Sequence, residues 1–168
     1  MPPPLPRAAR RGIACRPATE ADLPVLAQTY FSTRIEEVAQ TGWPVEAQRN
    51  FLIQQFEAQH RHYRTHYPDA EWLVIERDGV PLGRLYLDIR PDDLHLIDIA
   101  LLPEGRRGGI GGALLEDLIE AAQADGRSVT IFVERNNPAM RLYRRLGFEK
   151  VSEEGVYDLM RRAPEPDA

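Results

Sequence analysis

Residues 97–115, IDIALLPEGRRGGIGGALL, constrain the fold and the function of this chain more than any other stretch. An apolar run leads into two arginines and four glycines, and the stretch then continues as the start of an amphipathic helix. This order predicts a strand, a tight loop and a helix N-terminus, whose first amides lack intrahelical partners and carry partial positive charge. Glycine lets an anion approach the backbone closely, and arginine matches the geometry of phosphate. The stretch therefore predicts a phosphate or pyrophosphate site.

The spacing of the glycines narrows the choice of phosphate ligand. A nucleotide-binding P-loop requires a lysine followed by serine or threonine, and neither follows these glycines. The dinucleotide fingerprint fits at Gly109 and Gly111, but Leu114 occupies the place of its third glycine. Arg106, Gly109 and Gly111 instead fit the spacing Arg-x-x-Gly-x-Gly. Taken alone, the stretch is also compatible with a glycine-rich surface turn before an ordinary helix.

A second motif, ERNNPAMRLYRRLGF, follows the next predicted strand. It fits the pattern N-x-x-A-x-x-x-Y-x-x-x-G-F at Asn136, Ala139, Tyr143, Gly147 and Phe148. A variant of this pattern, with asparagine directly before Pro-Ala, would use Asn137 instead. In this order, the two motifs resemble those of the GNAT superfamily, whose members transfer an acetyl group from acetyl-CoA to an amine. Taken alone, the second motif also fits a plain helix–strand connection with a packed aromatic residue.

The resemblance implies a site for acetyl-CoA between two splayed central strands and no metal ion. The pantetheine would pair with strand backbone, and the glycine loop would wrap the pyrophosphate. The implied cofactor-binding residues are Ile99, Ala100, Leu101, Arg106, Arg107, Gly108, Gly109, Ile110, Gly111, Gly112, Asn136, Asn137 and Tyr143. A backbone N–H near Leu101 would polarise the thioester carbonyl. Tyr143 would be the general acid for the departing thiolate, because its phenol has an ordinary pKa near ~10, against ~8.5 for a thiol.

The attacking amine must lose a proton, directly or through water, because a lysine-like amine has an ordinary pKa of ~10.4. Asp98 is the first candidate for the general base, since it interrupts an otherwise apolar strand. It could equally be a buried aspartate satisfied by backbone or hydroxyl donors. Glu134, at the end of the strand before Asn136, is the second candidate and could instead be a solvated charge. Strict alternation along the strand places His95 on the opposite face from Asp98.

The order of predicted elements is strand, two helices, three strands, helix, strand, helix and two strands. Asp78-Gly79 is a strong hairpin signal between the first two of the three central strands. The strand–helix–strand unit that contains the glycine loop favours one parallel pair. The prediction is a mixed α+β fold with helices on both faces of a mostly antiparallel sheet, as in the GNAT fold. The domain is expected over residues 13–162, with disordered tails at 1–12 and 163–168.

Composition bears on partners and location. The net charge of −5 gives no support for a nucleic-acid or anionic-membrane partner. No apolar stretch approaches the ~18 residues that a membrane-spanning helix needs, and the single cysteine, Cys15, excludes an internal disulfide. A cytoplasmic location is therefore expected. His62 and His66 have a spacing that can bind zinc, but a polar helix end near the substrate entrance is the favoured interpretation.

The expected function is acetyl-CoA-dependent transfer of an acetyl group to a primary amine of a small molecule or peptide. Residues 31–67 and the final hairpin would determine specificity, and the protein would be a monomer or a homodimer. One alternative is a catalytically silent acyl-CoA sensor or interaction module of the same fold. A second alternative is a nucleotide-binding protein that uses the glycine loop for ATP or NAD, although the missing lysine and third glycine argue against it.

Overall fold

The computed structural model describes residues 2–166 and has the predicted mixed α+β architecture. Its helices are α1 (Pro6–Arg10), α2 (Leu23–Ala39), α3 (Val45–His66), α4 (Ile110–Ala124) and α5 (Met140–Arg145). Its strands are β1 (Ile13–Pro17), β2 (Glu71–Arg77), β3 (Val80–Ile89), β4 (Asp93–Leu101), β5 (Ser128–Glu134), β6 (Glu149–Glu154) and β7 (Tyr157–Arg162). Helix α1 is the one addition to the predicted order. None of the helices in this range is long and apolar enough to cross a membrane.

The seven strands form one sheet in the order β1-β2-β3-β4-β5-β7-β6. Neighbouring strands are antiparallel except for β4 and β5, which are parallel. The turn between β2 and β3 has positive φ at both Asp78 (51°) and Gly79 (78°). A two-residue hairpin requires this conformation, because its backbone twist matches that of the flanking strands. The predicted hairpin and the predicted parallel pair are both confirmed.

Strands β4 and β5 pair over only half of their length. Their pairing begins with Asp93 opposite Ser128 and ends with Leu96 opposite Ile131. Beyond that point β4 continues against β3, and β5 continues against β7. The two central strands therefore separate and leave a gap between residues 97–101 and residues 132–134.

A β-bulge in β4 lies where this gap begins. Tyr86 of β3 pairs with Asp98, whereas the next residue, Leu87, pairs with Leu96, so that Ile97 is an extra residue in β4. A bulge reverses the alternation of side chains beyond it. The prediction that His95 and Asp98 point to opposite faces is therefore wrong. Both side chains lie on the α2–α3 face of the sheet, where His95 contacts Tyr67 and Asp98 contacts an arginine described below.

Two apolar clusters cover the two faces of the sheet. The first, beneath α1, α4 and α5, includes Ala8, Leu96, Ile110, Leu114, Leu118 and Tyr143. The second, beneath α2 and α3, includes Leu26, Tyr30, Phe56, Val74 and Tyr86. Each fully buried leucine or isoleucine contributes roughly 1.5–3 kcal/mol to stability. Because Ile110 and Leu114 are both buried, the first turn of α4 has a fixed position on the sheet.

The expected disorder of residues 1–12 is not observed for the part that forms α1. Ala8 is fully buried in the first cluster. The backbone N–H groups of Arg7 and Ala8 each donate to the Asp117 carboxylate of α4 at 3.0 Å. The Arg7 side chain also donates to this carboxylate, at 3.1 Å, and pairs with Glu116 and Glu120. A proline- and arginine-rich segment is thus ordered by one buried acidic residue that lies 110 positions away from Arg7.

The other predicted tail, residues 163–168, is described as far as residue 166. This part contains no helix or strand, but it lies against α4. The Gln123 side chain donates to the Glu165 carbonyl oxygen at 2.8 Å and accepts from the Glu165 backbone N–H at 2.6 Å. Met1, Asp167 and Ala168 lie outside the described residues.

The anchoring of α1 predicts a large effect of substituting Asp117. Alanine at this position leaves two backbone N–H groups without their acceptor, so we expect Asp117→Ala to lower the free energy of unfolding by about 2 kcal/mol. Urea denaturation measures this change. The control is Glu120→Ala, which removes an exposed partner of Arg7 and should cost less than about 0.5 kcal/mol. Equal losses for the two variants would show that Asp117 does not anchor α1.

Candidate active site

The glycine loop joins the end of β4 to α4 through a short 3-10 turn, Pro103–Gly105. Arg107 (φ 69°) and Gly109 (φ 72°) both have left-handed backbone conformations, and Gly109 is the residue that precedes α4. No side chain within residues 2–166 caps this helix N-terminus. The amides of Ile110, Gly111 and Gly112 therefore belong to an uncapped first turn, which is the arrangement that binds phosphate in other proteins.

The Arg106 side chain forms hydrogen bonds with both β4 and α2. Its Nε donates to the Leu101 carbonyl oxygen at 3.0 Å, and its Nη2 donates to Ser32 Oγ of α2 at 3.1 Å. The guanidinium thus bridges the end of β4 and α2 at the mouth of the gap. Both arginines are exposed. Of the two arginines predicted to attract phosphate, Arg107 is the one with no hydrogen bond or ion pair within residues 2–166.

Tyr143, the predicted general acid, lies on α5 and is 6% exposed. Its ring packs edge-on against Phe148 at 5.6 Å between centroids. Burial, and next the negative charge of Asp98, raise the pKa of Tyr143 to about 12. The phenol therefore stays protonated at neutral pH and holds the proton that a general acid must supply.

The two candidate asparagines differ in what their side chains do. Asn137 Oδ1 accepts from the Ala139 backbone N–H at 2.9 Å and so closes the turn that leads into α5. Asn136 is exposed, and its side chain has no hydrogen-bond partner among the described residues. The Asn136 carboxamide is the one left open to a ligand.

Asp98 forms an ion pair that the sequence analysis missed. Its Oδ2 accepts from Arg84 Nε at 2.5 Å, and Arg84 is only 2% exposed. The guanidinium also donates to Gln59 at 2.8 Å and lies over the ring of Tyr86. Burial alone lowers the pKa of Arg84, but the Asp98 carboxylate and the neighbouring phenols outweigh this effect and raise it. Asp98 is therefore paired with a permanent positive charge that is almost completely shielded from water.

Glu134 is also paired with an arginine, at the opposite side of the gap. Its Oε1 accepts from Arg34 Nη2 of α2 at 3.1 Å, and both side chains are about one-third exposed. Tyr157 of β7 lies nearby, and its pKa is raised by burial and next by Glu134. In contrast to Arg84 and Asp98, this pair is open to water and can separate at little cost.

Comparison with known proteins shows the family of this chain. The profile of the acetyltransferase (GNAT) family matches residues 33–148, which is more than half of the chain. This chain belongs to the GNAT family. The matched segment includes the glycine loop, Asp98, Glu134 and Tyr143, whereas α1, β1 and the final hairpin lie outside it.

Individual relatives match shorter segments of this GNAT chain. It is 33% identical over 93 residues to the Mus musculus cysteine-rich protein 2-binding protein, covering 55% of this chain and 11% of that protein. It is 38% identical over 60 residues to the N-alpha-acetyltransferase of Sulfurisphaera tokodaii, covering 34% and 36%. The chain thus matches well under two thirds of either relative.

A solved structure confirms the GNAT fold over most of the chain. The PaiA N-acetyltransferase from Thermoplasma acidophilum in complex with coenzyme A superimposes with a TM-score of 0.65 and 19% sequence identity. The superposition covers 90% of this chain and 98% of that one.

The histidines of this GNAT chain do not form a metal centre within residues 2–166. The rings of His62 and His66 lie 4.0 Å apart between centroids, but the described residues hold no group of three or more histidine, cysteine or acidic side chains placed to share a metal ion. His60 stacks on Phe56 instead. The zinc interpretation therefore has no third ligand in this part of the chain.

His95 is the buried histidine of the α2–α3 face. Its Nδ1 lies 2.9 Å from Thr130 Oγ1, and the Tyr67 hydroxyl lies 3.4 Å from its Nε2. Burial, and next the positive charge of Arg90, lower the pKa of His95 to about 4. His95 is therefore neutral at physiological pH, and it becomes charged more readily in the unfolded chain, where its pKa is near ~6.5.

This difference predicts a pH dependence of stability. Between pH 6.5 and 4 the unfolded chain binds a proton at His95 and the folded protein does not, so the free energy of unfolding falls as the pH falls. From pH 7 to pH 5 this one group should remove about 2 kcal/mol. Urea denaturation at the two pH values should show a smaller loss for His95→Gln than for the native protein. The exposed control His62→Gln should keep the full loss, and a full loss in both variants would contradict this account.

Proposed function

We propose that this protein is an acetyl-CoA-dependent N-acetyltransferase that transfers the acetyl group directly to a primary amine. The observation that carries the proposal is the end of β4–β5 pairing at Leu96, just before the uncapped first turn of α4. An extended, partly polar ligand with a pyrophosphate at one end fits this combination of an unpaired strand edge and a first helical turn whose backbone amides lack a side-chain cap. Membership in the GNAT family supports the same ligand.

In this proposal each part of the site binds one part of the co-substrate. The backbone of Ile99, Ala100 and Leu101 pairs with the pantetheine arm, in place of the strand that β4 lacks there. The amides of residues 108–112 bind the pyrophosphate. Asn136, whose carboxamide is open, contacts CoA, while Asn137 keeps its hydrogen bond with the Ala139 backbone N–H. Arg106 must leave the Leu101 carbonyl or share it when the pantetheine arrives, since both use the same acceptor.

The chemical step needs one proton delivered and one removed. The amine nitrogen attacks the thioester carbonyl carbon, a C–N bond forms, the C–S bond breaks, and the thiolate of CoA leaves. Tyr143 supplies the proton to that thiolate. With a pKa of about 12, Tyr143 gives its proton up less readily than an ordinary phenol. The same burial raises the pKa of a CoA thiol that lies beside Tyr143. This reduces the difference in pKa between the phenol that donates the proton and the thiolate that accepts it.

For the proton removed from the amine, the geometry favours Glu134 over Asp98. Asp98 is fixed by a nearly buried arginine, whereas Glu134 shares a water-accessible ion pair with Arg34. A water molecule beside Glu134 can relay the proton from the incoming amine. We therefore propose Glu134 as the base and Asp98 as the partner that keeps Arg84 buried and keeps the Tyr143 phenol protonated.

The acceptor is proposed only as an amine. The N-alpha-acetyltransferase among the relatives makes a protein N-terminus one class to test, alongside polyamines and other small amines. Residues 31–67 and the final hairpin stay the predicted specificity elements. They include the exposed Trp43, which packs edge-on against Phe51 at 5.5 Å. A cytoplasmic location and a monomeric or homodimeric state also stay predictions.

Substitution of Tyr143 tests the mechanism. We expect Tyr143→Phe to lower kcat about 100-fold or more, because the thiolate then leaves without its general acid, while the Kd of CoA changes far less. The measurement is release of free CoA thiol from acetyl-CoA over a panel of peptide N-termini, polyamines and small amines. The matched control is Tyr67→Phe, which removes a hydroxyl that contacts His95 and should leave kcat nearly unchanged.

Two other outcomes would change the conclusion. An unchanged kcat in Tyr143→Phe would remove Tyr143 from the chemistry. Tight binding of CoA without turnover on any amine would favour the alternative of a silent acyl-CoA sensor. The pairing of both candidate bases with arginines is the observation that keeps this alternative open.

A further inference from the structure

A cavity of about 310 Å³ lies between α1 and the first turn of α4. Its lining includes Arg7, Arg10 and Arg11 on one side and Gly109, Gly112 and Glu116 on the other. The three arginines precede the segment that matches the GNAT family, which begins at residue 33. The cavity is thus built partly from a segment of this chain that family membership does not account for.

The positive charge in this cavity is only partly neutralised. Arg7 is paired with Glu116, Asp117 and Glu120 of α4. Arg10 has no hydrogen bond or ion pair in the part of the chain described, and Arg11 donates to a backbone oxygen, that of Gly108, at 3.3 Å. Arg10 and Arg11 therefore place positive charge beside the glycine loop, and no carboxylate of the described residues forms an ion pair with either of them. The protein as a whole has a net charge of −5.

These arginines are held in place by the fold. Ala8 is fully buried, and the Asp117 carboxylate binds the backbone of Arg7 and Ala8. The Arg11 guanidinium consequently lies 3.4 Å from the position that a Cβ on Gly109 would occupy. Charged side chains on an anchored segment lose less conformational freedom on binding a ligand than those on a flexible tail.

The cavity lies to one side of the first turn of α4, away from the gap between β4 and β5. Gly111 faces the end of β4, since a Cβ there would contact Leu101 Cδ1 at 4.0 Å. Gly109 and Gly112 face α1 instead. In a CoA molecule bound with its pantetheine in the gap and its pyrophosphate at the first turn of α4, the adenosine lies beyond that turn. The adenosine carries one further charged group, the 3′-phosphate.

We propose that Arg10 and Arg11 bind the 3′-phosphate of CoA and so extend the co-substrate site onto α1. This inference rests on the proposed function, because it takes CoA as the ligand of the glycine loop. Arginine is suited to the role, since its planar guanidinium forms charge-assisted and often bidentate hydrogen bonds with phosphate.

The test compares CoA with 3′-dephospho-CoA, which keeps the pyrophosphate and lacks the group in question. Titration calorimetry gives the Kd of both for the native protein, for a variant with Arg10→Gln and Arg11→Gln, and for the control Arg61→Gln on α3. We expect the native protein and the control to bind CoA about tenfold more tightly than 3′-dephospho-CoA. The double variant should lose that preference and bind 3′-dephospho-CoA nearly as the native protein does.

The outcomes separate this inference from the proposed function. If the double variant keeps the preference for CoA, or if it weakens both ligands by the same factor, the 3′-phosphate is not the group that these arginines bind. If the native protein binds neither ligand, the proposed function itself fails. Both arginines are exposed, so the double variant should fold normally, and an unchanged unfolding temperature without ligand checks this.

Discussion

The site depends on one constraint, which is that β4 cannot pair with both of its neighbours along its whole length. Gly83 of β3 approaches β4 so closely that a Cβ there would lie 2.2 Å from the Ala100 carbonyl oxygen. The bulge at Ile97 then turns the end of β4 toward β3, while β5 follows β7. The resulting gap opens toward the uncapped first turn of α4. The separation of the strands and the proposed anion site thus arise from the same short stretch of chain.

The electrostatics of the gap follow from two arginine–carboxylate pairs of opposite character. Arg84 and Asp98 are mostly shielded from water, and such a pair is tolerated because Gln59 and the ring of Tyr86 also contact the guanidinium. Arg34 and Glu134 are exposed and separate more easily. The negative charge of Asp98 in the first pair acts on Tyr143, and the second pair is open to water. The proposed roles of Tyr143 as acid and Glu134 as base depend on this difference in exposure.

The sequence predicted the features that depend on local chemistry. The Asp78-Gly79 hairpin and the glycine loop before α4 both follow from residues adjacent in the chain. It did not predict features that depend on distant partners. Helix α1 is ordered by Asp117, and the bulge that brings His95 and Asp98 to one face depends on pairing with β3. Arg84, an arginine between Gly83 and Leu85 in an apolar strand, was a signal of a buried ion pair that could have been recognised.

The most direct test of the central claim is thermal unfolding with acetyl-CoA, CoA, ATP and NAD, each in large excess. A ligand at ~100 times its Kd adds ~2.7 kcal/mol to the free energy of unfolding, and ~2–4 °C per kcal/mol is expected for a protein of this size. The account predicts a rise in Tm of several degrees with acetyl-CoA and CoA and no comparable rise with ATP or NAD. No shift with either CoA compound, or a larger shift with ATP or NAD, would contradict it.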